Sequence, residues 1–155
     1  MFRTILVPLD GSEVAAAILE QVVALARSHG ARLLLLTVGL PLPAWSTQAR
    51  DMQYTLTFQA EAYLGRVRAY LEAQGLEVTT LVCLEEPARA ILDVAAQQQV
   101  DLIVINSRGG GGSPLPFLGS VAQRVASAAT VPVLVLHATA DKKGHPDGRC
   151  SPGSP

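Results

Sequence analysis

Five short, mostly apolar runs alternate with segments of helical periodicity, and this alternation constrains the fold of the chain more than any other feature. The runs cover residues 4–9, 32–38, 78–84, 102–105 and 131–137. Each run is continuous rather than alternating in polarity, as is typical of strands buried on both faces of a parallel sheet. Five such strands with four intervening helices predict an α/β fold whose five-stranded parallel sheet is doubly wound with right-handed crossovers.

The four segments between these runs carry apolar residues at helical spacing. The first is expected to end at Gly30 and the second, which follows an irregular stretch from residue 39 to about residue 50, at Gly75. Pro87 suits the first position of the third helix, and the fourth covers about residues 121–129. The predicted buried faces are Ala15, Ile18, Leu19, Val22, Leu25 and Ala26 in the first helix, Leu56, Tyr63, Val67, Tyr70 and Leu71 in the second, and Ala88, Ile91, Leu92 and Ala95 in the third.

Composition assigns residues 1–137 to one domain and residues 138–155 to a tail. Of the 155 residues, 49% are hydrophobic and the formal net charge is −1, which argues against disorder and against a basic surface for nucleic acids. After His137 the chain changes to Gly, Pro, Ser and charged residues, which predicts a disordered tail. No apolar run is long enough to span a membrane and no signal peptide is visible. We therefore expect a cytoplasmic protein with no membrane partner. Cys83 is expected in the core and Cys150 in the tail, without metal-ligand spacing.

The fourth run leads into a glycine-rich loop and then into the last helix. Residues 109–112 are four consecutive glycines, which free the backbone and let a ligand approach its N–H groups. Ser120 is predicted to cap the helix, whose unpaired N–H groups and dipole favour a phosphate. Arg108 in the loop is a candidate phosphate partner, and Asp10, after the first strand, either caps the following turn or helix or contacts a ligand. On composition alone, a flexible surface loop is an equal alternative.

The spacing of this loop resembles the nucleotide-binding signature of the universal stress protein family, G-x2-G-x9-G-[ST] after the fourth strand. Gly109 is followed by nine residues and then by Gly119 and Ser120, and Asn106 stands at the position of the first glycine. Residues 6–12 (LVPLDGS) resemble the first-strand motif of the family, and residues 86–92 (EPARAIL) also match, preceded by Glu85 where many relatives have glycine. The resemblance covers nearly the whole chain to His137.

The resemblance implies a Rossmann-like adenine nucleotide-binding fold with strand order 3-2-1-4-5 and a ligand site between strands one and four. It implies ATP or a related adenine nucleotide as ligand, with Mg²⁺ as an accompanying ion, and a homodimer formed through strand five (residues 131–137). Asp10 corresponds to a residue near the adenosine, Val38 to one beside adenine, and Gly109, Gly119, Ser120 and Val121 to residues that hold the phosphates. The full set of candidate ligand residues is Pro8, Asp10, Val38, Ile105, Asn106, Arg108, Gly109, Gly119, Ser120 and Val121.

No catalytic arrangement is visible in the sequence, so we expect a binding protein rather than an enzyme. The only lysines, Lys142 and Lys143, lie in the tail, which excludes a G-x4-G-K-[ST] loop within the domain. The leading interpretation is a stress-response sensor or regulator that acts through an unidentified partner protein. Two alternatives stay open: a dimeric interaction protein of the same fold without a nucleotide, which Asn106 and Glu85 favour, and a slow metal-assisted ATP hydrolase.

Overall fold

The computed structural model describes residues 1–12, 17–107 and 118–137, so the predicted tail and the glycine run lie outside the described residues. Within this part of the chain, strands and helices alternate as the sequence predicts. The elements in chain order are β1 (Thr4–Pro8), α1 (Leu19–His29), β2 (Arg32–Gly39), α2 (Thr47–Ala73), β3 (Val78–Leu84), α3 (Pro87–Gln97), β4 (Leu102–Asn106), α4 (Ser120–Ala128) and β5 (Val133–Leu136).

The five strands form one parallel sheet in the order β3-β2-β1-β4-β5. β1 is central, because Ile5 pairs with Leu33 of β2 on one side and with Leu102 of β4 on the other. The chain therefore proceeds outward from β1 to β3 in one direction and adds β4 and β5 in the opposite direction. The predicted fold class and strand order are confirmed, and the winding direction reverses between β1 and β4.

Helices cover both faces of the sheet. Successive side chains of each strand point to opposite faces, so every strand contributes to both helix–sheet interfaces. On one face, α1 and α2 pack against a cluster that includes Ile5, Val7, Leu33 and Leu35. On the other face, α3 and α4 pack against a cluster that includes Leu6, Leu34, Leu36 and Ile103. Strands buried on both faces need apolar residues at every position, which explains the continuous apolar runs of the sequence.

The helix ends follow local sequence signals. Gly30 adopts a φ of 62° after α1 and donates its N–H to the carbonyl oxygen of Arg27, a conformation that favours glycine. Pro87 is the first residue of α3, where its missing N–H costs no helical hydrogen bond. Both predicted boundaries are confirmed.

The second helix begins earlier than predicted, and only part of its predicted face is buried. Val67 and Leu71 are buried as expected. α2 begins at Thr47, where the Ser46 hydroxyl accepts a hydrogen bond from the Ala49 N–H (3.3 Å). Two residues of the predicted face, Leu56 and Tyr70, are each 45% exposed, whereas Leu64, which the pattern omits, is buried. All buried residues of α2 lie in its second half, and the residues of its first half are partly or fully exposed.

The edge strands also differ from the prediction. β5 begins at Val133 instead of residue 131, because Pro132 has no N–H to donate to a strand ladder. Cys83 is partly buried rather than in the core, since β3 is an edge strand of the sheet. Among the described residues, no helix is both long and apolar enough to cross a membrane.

Candidate functional site

The carboxyl ends of β1 and β4 meet where the winding direction of the sheet reverses. In open α/β sheets, ligands bind in the crevice outside such a reversal point. Pro8 ends β1 and is partly buried, and Asp10 follows it on the surface. Ile105 and Asn106 end β4 and are buried, with exposed fractions of 6% and 8%. These four predicted residues therefore belong to the same edge of the sheet.

The chain that leaves β4 returns to the end of the same strand. The Ser107 N–H donates to the carbonyl oxygen of Leu136 (2.7 Å), and the Ser107 carbonyl oxygen accepts from the Gly119 N–H (2.6 Å). These two bonds join β4, β5 and the entry to α4. Two further predicted ligand residues, Arg108 and Gly109, lie outside the described residues.

The first turn of α4 begins beside this junction, and no side chain of the described residues caps it. The predicted cap by Ser120 is wrong, because Gly119 occupies the cap position and Ser120 is already the first helical residue. The Gly119 carbonyl oxygen accepts from the Gln123 N–H (2.9 Å), which starts the helix one residue earlier than a serine cap requires. Ser120 is exposed, whereas Val121 packs against the apolar cluster beneath α3 and α4. The first N–H groups of a helix and its positive dipole end form an anion-binding site when no side chain fills it.

Asp10 caps a turn. Its Oδ1 accepts hydrogen bonds from the Ser12 N–H (3.0 Å) and from the Ser12 hydroxyl, as in an Asx turn. The turn is therefore an observed structural role of Asp10, and the predicted alternative, a cap on the following helix, involves residues 13–16, which lie outside the described residues.

Asn106 and Val38 are strand residues whose positions follow from strand pairing. Asn106 pairs with Leu136 in extended conformation, so it does not form the left-handed turn that a glycine at this position would allow. Among the described residues, Gln99 is the one non-glycine residue with positive φ. Val38 is partly buried and packs toward the face of the sheet that α3 and α4 cover.

A contact between α3 and α4 was not foreseen from the sequence. Glu86 caps α3, since its Oε2 accepts from the Arg89 N–H (3.0 Å) and its Oε1 from the Ala88 N–H (3.2 Å). The same Oε1 accepts from Arg124 Nη1 of α4 (2.6 Å). The backbone bond from Arg89 is the main reason that the pKa of Glu86 lies below its usual value, and Arg124 lowers the pKa further. In the sequence, the Glu86-Pro87 pair indicates the start of α3 and its cap. No sequence signal near this pair predicts the contact with Arg124.

The sequence profile of the Universal stress protein family matches residues 1–137. The chain belongs to the universal stress protein family. It is 34% identical over 144 residues to a universal stress protein of Thermus aquaticus, covering 88% of this chain and 99% of that protein. It is 30% identical over 151 residues to the universal stress protein YxiE of Bacillus subtilis, covering 88% of this chain and 99% of that protein.

Solved structures of universal stress proteins share the fold described above. The structure of MJ0577, a universal stress protein of Methanocaldococcus jannaschii, superimposes with a TM-score of 0.83 at 26% identity and covers 91% of this chain and 99% of its own. A universal stress protein in complex with cAMP gives a TM-score of 0.68 at 22% identity, with 89% of this chain and 98% of that chain covered. The protein of Archaeoglobus fulgidus in complex with dAMP gives 0.65 at 22% identity, with 87% and 97% covered.

Proposed function

We propose that this chain binds ATP or a related adenine nucleotide at the β1–β4 edge and acts as a stress-response sensor or regulator. The observation that carries the proposal is the start of α4, which no side chain of the described residues caps and which is joined to the end of β4 by the bond between Ser107 and Gly119. A helix start of this kind holds a phosphate through backbone N–H groups, without a lysine. The domain has no lysine to offer, because both lysines lie after residue 137.

In the proposed complex, the phosphates lie against the first turn of α4. Ser120 and Val121 contribute backbone N–H groups there, and the exposed Ser120 contributes its hydroxyl as well. The N–H of Gly119 is bonded to Ser107, so Gly119 contributes by leaving the space beside the helix start free of a side chain. We assign Gly109 to the same phosphates from the spacing of the family signature, and Arg108 because a loop arginine beside it can pair with phosphate. Mg²⁺ would be held mainly by the phosphates, as is usual for this ion.

The nucleoside is assigned to the strand ends beside the phosphates. Pro8 and Asp10 follow the end of β1, and Val38 lies near the end of β2. Ile105 and Asn106 form the buried end of β4 beneath them. The cAMP and dAMP complexes of two other universal stress proteins support an adenine nucleotide as the ligand class.

Calorimetric titration of ATP with Mg²⁺ into the purified protein tests this proposal. We expect binding near the micromolar range, which corresponds to about 8 kcal/mol. Gly119→Trp is expected to abolish the heat of binding, because its side chain would occupy the phosphate position. The variant is expected to fold, since Gly119 has a φ of −59° and a ψ of 156°, which any residue adopts. No heat and no shift in Tm with the unmodified protein would refute nucleotide binding.

A second candidate function is that of a dimeric interaction protein without a nucleotide. The observation that favours it is β5, which among the described residues pairs with β4 alone and leaves Leu134 38% exposed. An unpaired apolar edge is an aggregation hazard unless another chain or element covers it. We propose that β5 pairs with its copy across a two-fold axis. This homodimer is compatible with either function, so the oligomeric state does not distinguish the nucleotide-binding protein from the interaction protein. The ATP titration above does.

A further inference from the structure

A cavity of about 560 Å³ lies between α2 and the ends of β2 and β3, on the face of the sheet that α1 and α2 cover. Thr37 and Gly39 of β2 line it beside Val82 and Leu84 of β3, with which they pair in register. α2 contributes residues from Gln53 to Arg66, and Asp10 and Gly11 complete the lining. A volume of this size is in the range of small-molecule sites.

This cavity is separate from the proposed nucleotide site. Thr37 and Gly39 alternate with Val38 along β2, so they belong to the opposite face of the sheet. No described residue of α4 lines the cavity, and neither do Pro8, Ile105 and Asn106. Asp10 is the one described candidate nucleotide residue that also lines it.

The lining has the composition of a site that a mostly apolar molecule would cover. Four large apolar side chains in it are exposed: Phe58 by 71%, Leu40 by 63%, Leu56 by 45% and Leu84 by 43%. The Leu42 N–H donates to Gln53 Oε1 (2.6 Å), which ties the segment after β2 to α2. The cavity therefore has apolar surface to bury and a wall that is already fixed by a hydrogen bond.

Two hydroxyl groups of the lining residues lack hydrogen-bond partners. Thr37 Oγ1 and the Tyr63 hydroxyl are buried, and among the described residues neither has a donor or acceptor within reach. Thr37 as a whole is only 9% exposed. Buried polar groups without a partner are rare in native proteins, and a water molecule, an ion or a ligand can supply the missing partner. A polar ligand atom at the floor of the cavity would supply that partner.

The charges around the cavity favour a neutral ligand. One carboxylate, Asp10, and one guanidinium, Arg66, line it, so their charges offset each other. Burial raises the pKa of Tyr63, Asp10 raises it further and Arg66 opposes this. The phenol therefore stays protonated at neutral pH and is available as a hydrogen-bond donor.

We propose that this cavity binds a small neutral molecule with an apolar body and a carbonyl oxygen, which accepts hydrogen bonds from the hydroxyls of Tyr63 and Thr37. The apolar body lies over Leu56 and Leu84 and removes them from water. The site is distinct from the proposed nucleotide site, so the protein takes two ligands of different chemistry.

The fluorescent ketone prodan, 6-propionyl-2-(dimethylamino)naphthalene, is a suitable probe, because it is neutral, apolar and carries one carbonyl oxygen. With the full chain we expect saturable binding with emission at shorter wavelength. Ala60→Trp and Thr57→Trp, which fill the cavity from α2, are expected to abolish it while circular dichroism shows a folded protein. Tyr63→Phe is expected to weaken binding by about 3- to 10-fold. Tyr70→Phe, a matched change on the same helix outside the cavity, is expected to change nothing.

Three results would overturn the proposal. The first is absence of saturable binding, and the second is unchanged binding in both tryptophan variants, which would mean that prodan adheres to the exposed surface. The third is displacement of prodan by saturating ATP, which would mean that the probe occupies the nucleotide site.

Tm measurements test the role of Tyr63 separately. An unpaired hydroxyl predicts that Tyr63→Phe keeps or raises the Tm of the ligand-free protein, whereas a lower Tm with unchanged prodan affinity contradicts its role as a ligand donor. Failure of ATP binding leaves these expectations unchanged.

Discussion

Single residues in this chain act through hydrogen bonds that cross long stretches of sequence. Asp101, just before β4, accepts from the backbone N–H groups of Arg3 (2.8 Å) and Thr4 (2.9 Å) at the start of β1. The sequence identifies residues whose roles are local, such as Gly30 and Pro87, because their backbone preferences act within one turn. It did not identify Asp101, since its partners lie 97 and 98 residues away.

Replacing the Asp101 carboxylate tests this link. The two backbone N–H groups, that of Thr4 first, hold the pKa of Asp101 below its usual value. A lowered pKa in the folded state stabilises the protein above the pKa of the unfolded chain, about 4, and this stabilisation is lost as the pH falls through the folded-state pKa. We therefore expect Asp101→Asn to lower Tm by a few degrees at pH 7 and to differ less from wild type in acid.

Thermal melts of Asp101→Asn between about pH 7 and pH 3 give this comparison. Asp93→Asn is a matched control, because Asp93 is half exposed and its ion pair with Arg89 is long, at 3.7 Å. The control is expected to leave Tm nearly unchanged. A Tm loss for Asp101→Asn that stays constant over the whole pH range would contradict the proposed role of its charge.

Whole elements show where periodicity is informative and where it is not. The apolar spacing of α2 correctly indicates a helix, but it cannot show which turns lie over the sheet. α2 has 27 residues, about 40 Å of helix, whereas the eight residues of β2 extend over about 26 Å. The helix is longer than the strand beside it, so only part of the helix packs on the sheet. Leu64 lies in the packed part and is buried, whereas Leu56 is not.

Alanine substitutions in the two halves of α2 measure this difference directly. Leu64→Ala is expected to reduce the free energy of unfolding by about 2–5 kcal/mol, because it leaves a cavity in the core. Leu56→Ala makes the same chemical change at a position that is 45% exposed, and we expect a reduction of no more than about 0.5 kcal/mol. Urea denaturation of both variants provides the values. Equal losses for the two would mean that α2 packs along its full length.

At the scale of the whole molecule, the resemblance to the universal stress protein family implied the strand order, but the spatial relation of distant segments was less predictable. Continuous apolar runs are required wherever both faces of a strand are covered, so class and strand number follow from the sequence. The cavity beneath α2 was not predictable, because Asp10, Thr37 and Tyr63 come from three segments with no shared local pattern. Ser120 was misassigned as a cap for a related reason: the start of α4 is set by the contact between Gly119 and Ser107.

The free edge of β5 allows a prediction about assembly. The carbonyl oxygens of Pro132 and Leu136 bond to β4, so the alternating residue Val135 directs its N–H to the open edge. In the proposed homodimer this N–H pairs with the second copy. Val135→Pro removes the outward donor but no donor to β4, and we expect it to shift the species seen by light scattering from dimer to monomer. A wild-type mass of one chain, 16.3 kDa, at micromolar concentration would rule out the dimer.

Ser120 allows the most direct test of the proposal that the start of α4 holds the phosphates of an adenine nucleotide. A carboxylate at the first helical position interacts favourably with the positive end of the helix dipole, so Ser120→Glu is expected to keep or raise Tm. The same charge repels a phosphate, and Ser120→Gln supplies a neutral control of similar size. We predict that calorimetric titration of ATP with Mg²⁺ gives at least about tenfold weaker binding for Ser120→Glu than for Ser120→Gln, a difference of about 1.4 kcal/mol. Equal affinities of the two variants would show that the phosphates do not lie at the start of α4.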